Sequence, residues 1–448
     1  MFMNKTKIIC TLGPSSYDET ILKSLISSGL NIVRFNFSHA DYEQTKILIE
    51  KIRKISKELN KHVGLMLDTK GPEIRTHNFE GLVTIENNSQ VIISMQEVLG
   101  NASLFSVTYP NLYEEIKIND IIYVDDGYLS LIVKDKNGEK KEIITQAQNT
   151  HTVKSRRGIN IPNVNLNMEF ISPKDHQDIL FAIEQDFDYI AASFVRRMKD
   201  IKDIKNILKQ FQNKHIQIIS KIENQEGIDN LDEIIDLSDG IMIARGDLGI
   251  EVPIELIPIY QKEIIEKCLI AGKPVVVATQ MLESMQQNPN PTRAEVSDVF
   301  NAVIEGTSLT MLSGESAAGK YPIESVQYMA KIHKQAEQVV DYFFLSQIYE
   351  PQNIKEKILL NSVELSLKTP IKAIVLNNLA DAEIISKFHP PVPVLTLVKN
   401  KHEAHRLVLR FGVIPFINEL SFQNYINHLN KTKESHYIFV ENQNIIIR

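Results

Sequence analysis

Cysteine is scarce in this sequence, with Cys10 and Cys268 the two present among 448 residues. They lie far apart in apolar contexts, KIICTLG and IEKCLIAG. That excludes a disulfide framework and leaves two buried thiols, as expected in a reducing compartment. No His/Cys cluster has zinc-site spacing. No Lys/Arg run or stripe occurs and the net charge is −7, which argues against a nucleic-acid partner. No apolar run reaches membrane-spanning length, so no membrane partner is expected. The start, MFMNKTKIICTLG, has neither an apolar signal core nor an Arg/Ser-rich transit stretch. A cytoplasmic location is the expectation. Low-complexity segments are also lacking.

What is present is the composition of a globular protein, 43% hydrophobic and 23% charged, in a chain long enough for two or three cores. Eight short apolar runs recur: KIICTLG, NIVRFNFS, VGLMLDTK, YIAASFV, IQIISKIEN, GIMIARGDLG, PVVVATQM and SLTMLSGES. Each is followed by helix-like sequence, and such runs suit strands buried on both faces. Gly29 and Gly272 mark helix ends. The expected fold is α/β, a closed (β/α)₈ TIM barrel over 1–70 and 169–340. A doubly wound open sheet is the alternative, but it would gather ligands at one switch point. Here all eight runs turn polar at their C-terminal ends, the face where barrel active sites lie.

The period breaks once, by roughly ninety residues where a βα unit needs about thirty. LVTIENNSQVIIS, DIIYVDDGYLSLIVKD and EIITQAQN, with the turn signal KDKNGEKK, imply an inserted all-β lid domain over 71–168. After a helix near Tyr328 to Val340, AIVLNNLADAEIISKF, PVPVLTLV and HYIFVENQNIIIR imply a shortened C-terminal α/β domain over 341–448.

The strand ends carry the chemistry. In SKIENQEG, Lys221 and Glu223 share one strand face. Glu223 and Asp247 end adjacent strands, and two carboxylates suit Mg²⁺ or Mn²⁺. Lys221 beside them suits a phosphoryl oxygen, so the set reads as a clamp for phosphoryl transfer. A structural Lys–Glu pair is the bland alternative. IVRFNFSH sets Arg34, Asn36 and Ser38 on one face, and LDTKGPEIRT supplies Asp68, Thr69 and Arg75. Their oxygens can ring a monovalent cation and the arginines suit phosphate or carboxylate; ordinary hydrogen bonding at a barrel mouth is equally open. The glycines of ARGDLG let backbone N–H groups approach an anion before a helix, or simply make a tight turn. SGESAAGK lacks P-loop spacing. His39 reads as a polar loop residue more readily than as a ligand.

IICTLGPSS, VRFNFSHA, MLDTKGPEIRT, SKIENQEG, MIARGDLGIEVP, ATQMLESM, PTRAEVSDV and MLSGESAAGKYP, in this order over about three-quarters of the chain, resemble the pyruvate kinase family. The resemblance implies the same barrel, lid and C-terminal domain. It implies phosphoryl transfer from phosphoenolpyruvate to ADP, giving pyruvate and ATP as the last step of glycolysis, with Mg²⁺ and K⁺ as cofactors. Glu223 and Asp247 would bind Mg²⁺, and Asn36, Ser38, Asp68 and Thr69 would coordinate K⁺. Lys221 would stabilise the phosphoryl group in flight. Arg34 and Arg75 would contact phosphates, with His39, Asn36 and Arg157 on the nucleotide side. Gly246, Asp247 and Thr279 would seat the substrate carboxylate, and Ser313 and Glu315 would help protonate the enolate. Glu73 occurs in K⁺-dependent members and would add negative charge near Asp68 for a cation to offset. Family members are usually homotetramers, so a homo-oligomer is expected.

The sequence departs from the family pattern in places. Arg157 stands where lysine is usual and Asn163 where glycine is usual. Glu305, Ser308 and Ser316 change a stretch that is usually DGTDAVMLSGET. The family's effector loop reads LNNLADA at Leu376 to Ala382, and its Gly/Pro-rich tail loop is not found, so activation by fructose 1,6-bisphosphate is not expected. Two competing functions share parts of the pattern. A Mg²⁺-enolate aldolase or lyase would need neither the lid nor the IVRFNFSH set. A non-catalytic phosphoenolpyruvate sensor would have no need of Lys221, Glu223, Asp247, Arg34 and Thr279 together.

Overall fold

The computed structural model describes residues 4–38, 40–213, 215–429, 436–441 and 444–448; His39 lies outside the described residues. All eight apolar runs are parallel strands of one closed barrel: β1 (Lys7–Thr11), β2 (Leu30–Asn36), β3 (Gly64–Asp68), β4 (Tyr189–Ala192), β5 (Gln217–Ile222), β6 (Gly240–Ala244), β7 (Val275–Ala278) and β8 (Leu309–Leu312). The order around the barrel is sequential, and β1 pairs β8 to close it.

The two-residue strand period sorts these runs into two buried sets. Ile9, Ile32, Met66, Tyr189, Ile219, Met242, Val276 and Met311 fill the barrel interior. Ile8, Cys10, Val33, Phe35, Leu65, Leu67, Ile218 and Val277 face the helices outside. Both cysteines are buried and unpaired. Val408 and Leu409 of the C-terminal region join the interior cluster, so the base of the barrel is stoppered from outside the barrel itself. The Tyr189 hydroxyl donates to the His405 carbonyl, and Lys7 Nζ donates to the Val413 carbonyl at 2.9 Å, at the same base.

The insert leaves after β3 and forms a seven-stranded sheet. Its order is Ile74–Arg75, Gly158–Asn160, Ile121–Val124, Leu129–Asn137, Glu142–Ala147, Gln90–Ser94 and Leu104–Ser106. A two-stranded ladder, Val83–Ile85 with His151–Val153, and one helical turn at Leu112–Glu115 complete it, so it is β-rich with a single helical exception among the described residues. The KDKNGEKK turn does join two antiparallel strands. Chain exit and return are fastened together. Ser172 and Asp175 form a capping box at the returning helix Pro173–Glu184, and Asp175 Oδ1 also accepts from the Lys70 and Gly71 backbone N–H groups at 3.0 and 3.2 Å. Arg196 donates to the Leu166 and Met168 carbonyls, both at 2.9 Å, and so holds the return strand of chain to the barrel. Asn163 has φ 63°, a left-handed conformation that asparagine tolerates, which explains how it stands where glycine is usual.

The helix expected near Tyr328 to Val340 runs instead from Pro322 to Ala336, because Pro322 is pre-set for a first helical turn. The C-terminal region is a five-stranded sheet: β9 (Ile371–Leu376), β10 (Val394–Leu397), β11 (Val413–Phe416), β12 (His436–Glu441) and β13 (Asn444–Ile447), in the order β11-β10-β9-β12-β13. Only β13 is antiparallel to its neighbour. Among the described residues no helix is long and apolar enough to cross a membrane.

Phe187 is fully buried against Phe35, Phe37 and Phe181, with ring centroids 5.7, 6.2 and 6.3 Å away, where the outer barrel wall meets the returning helix. Phe187→Ala should cost about 3–5 kcal/mol and lower the thermal midpoint by several degrees. An unchanged midpoint in a melting experiment would contradict this packing.

Candidate active site

The strand ends converge on a buried charge network. Lys221, the penultimate residue of β5, is buried, and its ammonium has three acceptors for its three donors: Ser193 Oγ at 2.8 Å, Glu223 Oε1 at 2.9 Å and Asp68 Oδ1 at 3.2 Å. Asp68 ends β3 beside Asn36 of β2, and its Oδ2 accepts from Arg34 Nε at 2.5 Å. Arg34 also reaches Thr11 Oγ1 at the end of β1, at 2.8 Å. Glu223 Oε2 accepts the Phe194 N–H at 2.6 Å. Strands β1 to β5 thus contribute one connected set.

The protonation balance follows from the geometry. Asp68 is fully buried, which opposes ionisation, but Arg34 and Lys221 outweigh that and hold its carboxyl below the usual range. Burial likewise opposes the Lys221 charge, yet Asp68 and Glu223 together keep its ammonium above the ordinary value. Glu223 is pushed up: burial is the largest cause, Lys221 opposes it and Asp247 adds to it. Lys221 is shared between two carboxylates, so Glu223 is the member that retains a proton most readily. With Asp247 added, three carboxyl groups face the two cations Arg34 and Lys221.

Asp247 lies in the first turn of the helix Arg245–Glu251, which begins directly at the end of β6 with no separate turn between them. The Gly246 N–H in that turn donates to Thr279 Oγ1 at 2.7 Å. Thr279 follows β7 with φ 67°, a left-handed conformation unfavourable for a β-branched residue. It is held there from two sides, since its carbonyl accepts from Arg245 Nη2 at 2.8 Å. Arg245 is itself anchored by Asp298 at 2.7 Å, turned away from the mouth.

Some expected placements are corrected. Ser38 lies in the turn past β2 rather than on the strand, because its N–H is drawn to Asn36 Oδ1 at 3.1 Å. Glu73 leaves no unbalanced charge beside Asp68: Arg75 pairs with both its oxygens, at 2.7 and 2.9 Å, and Lys70 with one at 3.2 Å. Glu315 is fully buried and accepts from the Leu282 and Ser313 N–H groups at 3.0 and 2.8 Å, tying the loops after β7 and β8 together. Ser313 Oγ is buried with no hydrogen-bond partner. Thr69 Oγ1 accepts from the Ser193 N–H at 3.0 Å.

The lid reaches this mouth. Asn160 Nδ2 donates to Glu251 Oε1 at 2.7 Å, and Gly127 packs beside Ile250, both on the Asp247 helix. Asp125 and Asp126 precede Gly127 in a left-handed turn. Asp125 pairs with Arg157 at 3.5 Å. Burial, with Asp125 and Asp247, pushes the Asp126 carboxyl up against the pull of Arg157 and Arg75. Lid and barrel therefore place Arg75, Arg157 and Asp247 within one electrostatic field. Sequence reasoning did not single out Asp126, Asn160 or Glu251; the VDDGY turn signal was the trace of the first. Ser193 was read only as a polar strand end, although it bridges Lys221, Asp68 and the Thr69 carbonyl.

A closed eight-stranded barrel, a cation–carboxylate centre at its strand ends and a β-rich lid over them define an enzyme of anionic, phosphorylated substrates. The comparisons specify it. The family model for "Pyruvate kinase, barrel domain" matches residues 3–326. A pyruvate kinase from Staphylococcus haemolyticus is 46% identical over 425 residues, 93% of this chain and 72% of the relative. One from Bacillus licheniformis is 45% identical over 417 residues, 92% of this chain and 71% of the relative. A crystal structure of a pyruvate kinase from Cryptosporidium parvum superposes with a TM-score of 0.92 at 34% identity, covering 99% of this chain and 96% of the other. The chain belongs to the pyruvate kinase family, and its activity is that family's phosphotransferase reaction.

Thr279 separates two contributions. Thr279→Ser keeps the hydroxyl and eases the left-handed backbone, so thermal midpoint and turnover should both be retained. Thr279→Val keeps the branched strain and strands the Gly246 N–H, a loss of about 1–3 kcal/mol, and turnover should fall with the midpoint. Equal behaviour of the two variants in melting and steady-state assays would refute this account.

Proposed function

We propose that Lys221 is the residue around which phosphoryl transfer from phosphoenolpyruvate to ADP is organised in this chain. The carrying observation is its buried ammonium, held between Asp68, Ser193 and Glu223 at the barrel mouth. In the reaction the enol oxygen–phosphorus bond breaks, a bond forms from a β-phosphate oxygen of ADP, and the enolate takes a proton to give pyruvate. Lys221 and Arg34 supply positive charge to the phosphoryl oxygens. The Thr279 hydroxyl and the backbone N–H groups of Gly246 and Asp247 are assigned to the substrate carboxylate, for which the Gly246 N–H exchanges its bond to Thr279 Oγ1. Ser313 Oγ, buried and unpartnered, is the free hydroxyl for a proton relay, with Glu315 fixing its backbone. Arg75 and Arg157 of the lid, with Asn36 of the barrel, are assigned to the nucleotide, as is His39 on the sequence resemblance alone.

Glu223, raised chiefly by burial and further by Asp247, forms with Asp247 a carboxylate pair that suits a divalent cation. Mg²⁺ or Mn²⁺ bound there would neutralise charge developing on the enolate and phosphoryl oxygens. Asn36, Ser38, Asp68 and Thr69 offer oxygens for K⁺, though Asp68 already serves two cations. The proposal divides the chain into a barrel (1–70 and 169–340), a lid (71–168) and a C-terminal domain (341–448). It includes a cytoplasmic location and self-association, for which exposed Phe343 and Phe344 offer apolar surface.

Pyruvate formation should require phosphoenolpyruvate, ADP, Mg²⁺ and K⁺ together, and Lys221→Met should cut turnover by orders of magnitude while Mn²⁺ still binds. Full turnover in that variant at saturating metal, or pyruvate release without ADP, would overturn the assignment.

Metal binding must displace the proton that Glu223 retains. The Glu223 carboxyl is raised, so Mn²⁺ affinity should increase with pH through the neutral range and binding should release a proton. Calorimetry in buffers of different ionisation enthalpy reads this directly; pH-independent affinity with no proton release is the contrary result.

The segment Leu376–Ala382 runs into the helix Leu379–Ser386, whose N-terminus is capped by its own Asn378. Asn378 exchanges hydrogen bonds with Asp381, both at 2.9 Å, and the nearby cation Lys355 is paired with Asp381 at 2.5 Å. A bisphosphate would meet a filled cap and a carboxylate. Fructose 1,6-bisphosphate should leave the phosphoenolpyruvate saturation curve unmoved; a leftward shift abolished by changes within this segment would show otherwise.

A further inference from the structure

We propose that Asp186, His215 and His402 form a binding site for a divalent transition metal, of which Zn²⁺ is the type, at the seam between the base of the barrel and the C-terminal region. Asp186 lies in the turn before β4, at φ 56°. His215 lies two residues before β5, and His402 is on the helix Lys401–Val408 that carries Val408 into the barrel base. One ligand atom from each of the three lies within 4.8 Å of the others. His215 Nε2 is 3.1 Å and His402 Nδ1 3.8 Å from the same oxygen, Asp186 Oδ1. The two rings face each other with centroids 4.3 Å apart and a 35° tilt.

Two features favour a metal over a plain polar cluster. His215 Nε2 is buried from solvent and makes no hydrogen bond of good geometry despite its closeness to the carboxylate. Two imidazoles and one carboxylate are a donor set suited to Zn²⁺, with room for water in a fourth position. The adjacent His405 is not a candidate, being bonded to Asp188 at 2.9 Å. Lys401 pairs with the other Asp186 oxygen and acts as the resident cation with which a metal must compete. The ligands come from the strand-entry end of the barrel and from outside it, so this site is separate from Glu223 and Asp247. The three residues are distant in sequence, which is why no zinc spacing marks them.

The test is metal titration of the tag-free full-length protein with Mg²⁺ saturating, so that carboxylate-only sites are filled. Wild type should take up one Zn²⁺ per chain, and Co²⁺ in its place should give the strong visible bands of a tetrahedral site. Zn²⁺ should raise the thermal midpoint, reversibly on adding a chelator, because it joins two parts of the fold. His402→Ala and His215→Ala should each abolish the uptake and the thermal shift. Lys401→Ala should tighten binding by removing the competing cation. His402 sits on a partly exposed helix face, so its variant reports even if His215→Ala fails to fold. Absence of Zn²⁺ uptake by wild type, or uptake and thermal shift unchanged in His402→Ala, overturns the proposal.

Discussion

The burial of the Lys221 ammonium is the constraint on which the mouth of the barrel depends. An ammonium removed from water costs several kcal/mol unless each of its protons finds an acceptor. Here the acceptors come from the end of β3 and from the residues just after β4 and β5, and Arg34 of β2 then shares the Asp68 carboxylate. None of these groups can be removed without leaving a buried charge short of a partner. The same burial raises the Glu223 carboxyl, against the pull of a lysine it shares with Asp68, and Asp247 stands close enough to add to the effect. The centre is thus strained electrostatically in the direction that a divalent cation relieves.

A centre of this kind needs a rigid base. The barrel interior supplies part of it, and Val408 and Leu409 supply the rest from outside. Hydrogen bonds from Lys7 and Tyr189 secure the contact, so the C-terminal region is part of the packing beneath the site.

Much of this was legible in the sequence. Strands buried on both faces read as unbroken apolar runs, and polar residues at their ends betray which end is open. The break in strand spacing located the insert. What stayed hidden depended on pairing across distance. Glu73 looked like a free acid because the bidentate reach of Arg75 follows from the backbone after β3, not from spacing. The two backbone N–H groups that Glu315 ties together belong to loops distant in sequence, so no spacing marks them. Ser193 was legible only as a polar strand end, and its bonds to both Lys221 and Asp68 depend on the closed barrel. The strand β11, Val413–Phe416, was not among the runs read as strands; it contains Pro415 and lies at the sheet edge, where a missing N–H is tolerated.

The Asp175 fastening bears on how the lid can travel. Two independent tethers would let an inserted domain tilt, slide and twist. Because one carboxylate grips both the departing chain at Lys70 and Gly71 and the returning cap at Ser172, the two crossings turn as a single pivot. Such a door has one easy swing and few others. A lid hinged at this point would carry Arg75 and Arg157 along a single path over the strand ends.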